Sequence, residues 1–185
     1  MKKHPFEPFI LKNSKSMIIG TLPPENIDYY YSNSANTRMW DLLKSIKDNN
    51  KVEKNAYLLS KEEKQNILKD LNLSMTDIVL EYTRKKETTK DIDIEPIKFQ
   101  NIVKLIENTS IENLLFVYKK ALIYFLKSIN FDFNAENIKE YGKVLEIQLN
   151  NKKINCILLP NPLSRGKKGE TLEFKKEIYK KYIVI

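Results

Sequence analysis

The chain has 185 residues, 42% hydrophobic and 30% charged, the balance of one soluble globular domain (1–185) long enough to bury a core. A single cysteine, Cys156, excludes an internal disulfide, a cysteine-rich zinc site and a four-cysteine iron–sulfur cluster, and the only histidine, His4, is set aside for catalysis or metal binding because it lies beside the amino terminus. A net charge of +8 suits a polyanionic partner, although only three of the 32 basic residues are arginine, a lysine bias that AT-rich coding alone would give.

The amino-terminal M-K-K-H-P-F lacks a signal-peptide core, and no apolar run approaches the roughly 20 residues of a membrane span, which predicts a cytoplasmic protein without a membrane segment. Residues 1–15 read as an irregular lead-in anchored by Phe6, Phe9 and Ile10. Met17 to Leu22 is a central strand, since it shows no polar alternation. Gly20, Pro23 and Pro24 break it into a loop, and Tyr29, Tyr30 and Tyr31 follow. From about Thr37 to Lys47 a helix puts Met39, Leu42, Leu43 and Ile46 on one face. Ser60-Lys-Glu-Glu63 is a capping box opening a helix to about Leu71. Met75 to Tyr82 reads as a second buried strand carrying Asp77, and the run from Arg84 to Asp93 as a loop.

Pro96 suits the first turn of a helix whose Phe99, Ile102, Val103 and Ile106 form a face. Asn113 to Val117 is a third strand, and Lys119 to Ile129 a strongly apolar helix. Val144 to Leu149 and Ile154 to Leu159 bracket N-N-K-K as a hairpin or bent pair. A last helix runs from about Glu170 to Lys181, with Phe174, Ile178 and Tyr182 as its inner stripe. Strands alternating with helices predict an α/β fold with a mostly parallel sheet. Such sheets bind ligands at the carboxyl ends of their strands, where the loop after Gly20 belongs.

Glycine and proline are scarce and concentrated: Gly20, Pro23 and Pro24 in one loop, Pro160, Pro162, Gly166 and Gly169 in another. The second loop, L-P-N-P-L-S-R-G-K-K-G, offers an apolar tip, Leu163, on a proline-stiffened frame with Asn161, Ser164, Arg165, Lys167 and Lys168. Arg165 to Lys181 holds seven basic and three acidic residues, half of the net charge. A stiff apolar tip beside cations can wedge a nucleic-acid stack while holding phosphates; a buried Leu163 with solvated lysines reads the same in sequence.

The segments G-T-L-P-P (from Gly20), Y-Y-Y-S-N-S-A-N-T-R-M-W (from Tyr29), T-D-I-V-L-E-Y-T-R (from Thr76), L-L-F-V-Y-K-K-A (from Leu114) and L-P-N-P-L-S-R-G (from Leu159) follow one another in an order that resembles the uracil-DNA glycosylase superfamily over most of the chain. The first is similar to that family's first motif, a glycine followed two residues later by Asp or Asn and then Pro. The last is similar to its second catalytic motif, His-Pro-Ser-Pro-Leu-Ser in uracil enzymes and Leu-Pro-Ser-Pro in others. The paired tyrosines, Asn36 ahead of Trp40, and Asp77-Ile-Val look closest to the hypoxanthine/deoxyinosine branch. Three positions depart from the pattern: Leu22 stands where the first motif has its catalytic Asp or Asn, Leu159 where uracil enzymes have a histidine, and Tyr118 where a glycine commonly follows the third strand. A uracil-type mechanism through the first two is thereby ruled out.

The resemblance implies a three-layer α/β/α sandwich around a mostly parallel four-stranded sheet. It also implies a monomeric DNA glycosylase, monofunctional and free of metal and cofactor, that hydrolyses the N-glycosidic bond of uracil or hypoxanthine in DNA during base excision repair. Such an enzyme flips a nucleotide, reads its base and stabilises a cationic sugar and a departing anionic base. In those terms Asn36 positions water, and Asp77 reads the base edge or acts as a base. Backbone groups of Gly20, Thr21 and Leu22 hydrogen-bond the base, and one of Tyr29, Tyr30 or Tyr31 stacks on it. Leu163 fills the vacated stack, and Pro160, Asn161, Pro162, Ser164, Arg165, Lys167 and Lys168 meet the DNA. Structural roles compete with each: a helix cap for Asn36, backbone donors for Asp77, packing for the tyrosines and Trp40, and loop fixing for Arg84. Two other functions remain open, a family member that binds DNA or a modified base without cutting, and an enzyme acting on free nucleosides or nucleotides.

Overall fold

Met17, Ile18 and Ile19 are all fully buried, which demands a strand covered on both faces. The computed structural model, which describes residues 1–24, 27–31, 37–85, 93–134, 140–164 and 170–183, supplies that cover. Its strands are Lys2–Lys3 (β1), Ser16–Gly20 (β2), Leu73–Asp77 (β3), Val79–Arg84 (β4), Ile94–Phe99 (β5), Asn113–Phe116 (β6), Val144–Leu149 (β7) and Lys152–Leu158 (β8). Its α-helices are Met39–Lys47 (α1), Lys61–Asp70 (α2), Ile102–Ile106 (α3), Lys119–Ser128 (α4) and Leu172–Tyr182 (α5).

The main sheet has the order β3-β2-β6-β8-β7; its first four strands are parallel and β7 returns antiparallel to β8. The sheet therefore has five strands rather than four, the extra one an antiparallel edge. Side chains alternate between two cores. Met17, Ile19, Leu114, Phe116, Ile154 and Cys156 pack with α3 and α4, whereas Ile18, Leu73, Met75, Leu115 and Ile157 pack with α1, α2 and α5. The result is a three-layer α/β/α arrangement. No described helix is long and apolar enough to cross a membrane.

Three expectations change. The Met75–Tyr82 strand divides at Ile78: Asp77 ends β3, and the chain then enters a separate antiparallel sheet of order β1-β4-β5. The segment around Pro96 is strand, not helix; Pro96 pairs with Tyr82 on the edge strand β5, where a residue without an N–H is tolerated. Helix α3 starts only after Asn101, whose side chain accepts from the Lys104 N–H at 3.0 Å. In α5, Ile178 and Tyr182 pack against the core as expected, but Phe174 is 44% exposed and the buried residues are Lys175, Lys176 and Tyr179. Both lysines bury their stems because their ammonium groups donate to the carbonyls of Leu163 and Asn50.

Local chemistry is followed closely at α2, where Ser60 Oγ accepts from the Glu63 N–H at 3.2 Å and Glu63 Oε2 accepts from the Ser60 N–H at 2.7 Å. Ser60→Ala is expected to cost about 1 kcal/mol, the usual worth of such a cap, and to lower the urea midpoint without changing the slope. An unchanged midpoint would show the box to be energetically idle.

Candidate functional site

Parallel strands deliver all their carboxyl ends to one edge of the sheet. Gly20, the last residue of β2, is in register with Asp77, the last of β3. The Val117 N–H donates to the Ile19 carbonyl at 3.2 Å and the Leu159 N–H to the Phe116 carbonyl at 2.8 Å, so the chain leaves β6 and β8 at the same edge. Gly20-Thr21-Leu22, Asp77, Tyr118 and the loop from Pro160 to Ser164, far apart in sequence, therefore meet.

Gly20 is required by a close approach. A Cβ there would stand 2.1 Å from Asp77 Oδ1 and 2.1 Å from Tyr31 Oη. The other carboxylate oxygen, Asp77 Oδ2, lies 3.1 Å from His4 Nε2, and the two side chains are only 4% and 5% exposed. An ionised carboxylate can only accept, so the imidazole proton belongs on Nε2. His4 Nδ1 faces the Phe6 backbone, 2.8 Å from its carbonyl oxygen and 3.1 Å from its nitrogen. The imidazole stacks on Tyr30, ring centroids 5.5 Å apart.

His4, set aside from the sequence, is thus part of the site. The lead-in is largely irregular, with Phe6, Phe9 and Ile10 packed on the cores as expected, but its first residues are paired: β1 bonds to β4, and the His4 N–H donates to the Leu80 carbonyl at 2.8 Å. Nothing local in the sequence signals a pairing across 73 positions.

The tyrosines divide. Tyr29 and Tyr30 are buried in the core, Tyr29 stacking on Trp40 at 6.0 Å and the Tyr30 carbonyl accepting from Trp40 Nε1 at 2.7 Å. Trp40 is core as expected, and the Tyr29 and Tyr30 rings are committed to packing, which leaves Tyr31 as the one of the three that is half-buried. Tyr31 has φ 53°, the left-handed region that bulky residues rarely adopt. Its phenol is pushed well up, first by burial and then by the Asp77 charge, so it stays a protonated donor. Tyr31 Oη and Thr21 Oγ1 are buried with no hydrogen-bond partner among the described residues. Each unmade bond costs roughly 1–3 kcal/mol, which a polar ligand edge at this site would recover.

The second loop is clamped rather than protruding. The Pro160 carbonyl accepts from Tyr179 OH at 2.8 Å, and the Pro162 carbonyl from the Arg38 N–H at 2.5 Å. Leu163 bridges to Thr37, its N–H donates to Asn161 Oδ1 at 3.3 Å, and its carbonyl accepts from Lys175 Nζ at 2.8 Å. Leu163 is therefore half-buried, not an exposed tip, and Lys175 serves the loop; Ser164 is exposed. Leu22 and Leu159 are buried, one in each core. Arg84 Nη2 donates to the Pro23 carbonyl at 3.4 Å, fixing the first loop. Asn36, Arg165, Lys167 and Lys168 lie outside the described residues.

Burial pushes the Cys156 thiol up to about 12, which makes it a packing group rather than a nucleophile. Among the described residues no group of three His, Cys, Asp or Glu side chains is placed to hold a metal ion.

No protein-family model and no curated protein sequence matches the chain. Among solved structures, it is similar to the solution structure of a putative uracil DNA glycosylase from Methanosarcina acetivorans. That likeness has a TM-score of 0.62 at 16% identity and covers 96% of this chain and 94% of that one. The two share a fold over nearly their whole lengths.

Proposed function

We propose that the carboxyl-edge site receives a deaminated base flipped out of DNA and hydrolyses its N-glycosidic bond, as a member of the uracil-DNA glycosylase superfamily acting on uracil or hypoxanthine. The observation that carries this reading is Asp77: a buried carboxylate at the end of β3, its Oδ1 pressed with Tyr31 Oη against Gly20. The order of the motifs and the shared fold support it.

In this mechanism the C1′–N bond breaks with its electron pair leaving on the base, and water captures the sugar cation. Asn36 orients that water and Asp77 accepts its proton. Backbone groups of Gly20, Thr21 and Leu22 and the Tyr31 hydroxyl hold the departing base, stabilising its charge as it develops. Asn161, Leu163, Ser164, Arg165, Lys167 and Lys168 meet the DNA, and the buried Pro160 and Pro162 stiffen the loop behind them rather than touching it. A second reading has its own support: with Leu22 and Leu159 both committed to the cores, the chain binds damaged DNA without cutting it.

Single-turnover incubation with oligonucleotides containing uracil, hypoxanthine or xanthine, followed by alkaline cleavage, is expected to yield strand breaks with one of them. Tight, salt-sensitive binding without breaks favours the non-cutting reading. Absence of both overturns the two DNA readings and leaves free nucleosides or nucleotides to be tried.

A further inference from the structure

We infer that His4 is the positioning residue of the proposed base, holding Asp77 by Oδ2 so that Oδ1 stays turned to Gly20 and the incoming nucleotide. The inference rests on the reading of Asp77 as the group that serves the reaction.

The two carboxylate oxygens have separate surroundings. Oδ2 faces His4 Nε2 at 3.1 Å, whereas Oδ1 faces the Gly20 backbone and Tyr31 Oη. A buried carboxylate is costly unless its charge is hydrogen-bonded, and a bond to one oxygen fixes the plane of the group and hence the direction of the other. Tyr30 and Tyr31 also approach Asp77; burial raises both phenols, so neither carries a competing charge.

His4 is itself firmly delivered. On one side β1 and the His4 N–H bond to β4; on the other, Phe9 and Met75 exchange backbone hydrogen bonds at 2.9 and 2.8 Å. Its stacking partner Tyr30 is held at both ends, its hydroxyl donating to the Glu7 carbonyl at 3.2 Å and its carbonyl accepting from Trp40. A residue whose only task was packing would need none of this alignment toward one oxygen of a buried acid.

Two variants and one spectrum test the inference. His4→Ala removes the donor, and His4→Gln restores an N–H near the position of Nε2. His4→Ala is expected to slow base release roughly 10- to 100-fold, the usual cost of losing a group that orients a functional side chain, with DNA affinity unchanged. His4→Gln is expected to recover most of that loss. Independently of activity, wild-type protein should show a slowly exchanging, downfield imidazole N–H proton that disappears in Asp77→Ala. Wild-type rates in a folded His4→Ala variant, or absence of that resonance from wild type, overturns the inference. If wild type releases no base, the glycosylase reading fails, while the resonance and its dependence on Asp77 still decide whether His4 holds the carboxylate.

Discussion

Asp77→Asn is expected to slow single-turnover base release by about 10²–10⁴-fold, the range set by removing a general base, while leaving DNA affinity and the thermal midpoint close to wild type. The substitution keeps size and shape. Asparagine can still accept from His4 Nε2 through its amide oxygen, so the contact that holds the side chain survives. Only the capacity to take a proton is lost. The same experiment separates the two roles open to Asp77. A base gives a uniform loss on every substrate, whereas a group that reads the base edge gives a changed preference among uracil, hypoxanthine and xanthine, because donor and acceptor are exchanged. A wild-type rate on all of them would remove Asp77 from the chemistry.

Gly20→Ala should do more damage for one added methyl group. The new carbon would stand 2.1 Å from both Asp77 Oδ1 and Tyr31 Oη, well inside contact distance. Neither neighbour yields easily: Asp77 is in register with Gly20 and tied to His4, and the Tyr31 hydroxyl is buried. Overpacking of this kind costs about 1–3 kcal/mol, and relief requires the carboxylate to turn away from the edge. We therefore expect a thermal midpoint lower by several degrees together with loss of base release. Wild-type stability and rate in Gly20→Ala would mean that the edge has room and that Asp77 is not held where its geometry indicates.

What the sequence made legible was whatever depends on neighbours in the chain. Met17 to Ile19 and Leu114 to Phe116 lack polar alternation because both their faces are buried, and that alone marks them as parallel-sheet strands. The Ser60–Glu63 cap is likewise a local pattern. The clustering of glycine and proline pointed to two loops, and their described parts, 20–24 and 160–164, leave the sheet at the same edge. Long-range pairing was not legible: residues 2–4 read as a frayed lead-in because their partners lie in β4 and at the end of β3. On α5 hydropathy placed Ile178 and Tyr182 against the core but misplaced Phe174 and missed two buried lysines, since it cannot see that carbonyls of Leu163 and Asn50 wait for the ends of Lys175 and Lys176. Three tyrosines in a row offer no periodicity to say which turns inward, and only packing against Trp40 and His4 separates Tyr29 and Tyr30 from Tyr31.

The clamp on the second loop has a consequence for how the protein is made. Its fasteners, Lys175 Nζ on the Leu163 carbonyl and Tyr179 OH on the Pro160 carbonyl, both come from α5, which follows the loop in the chain. A nascent chain paused after β8 would already have β2, β3, β6 and the His4–Asp77 pair, but its loop would lack those two anchors. Folding and site assembly are thus timed together: on the ribosome the edge is finished only once α5 has emerged and docked, so a half-made chain presents Asp77 without the fastened loop beside it.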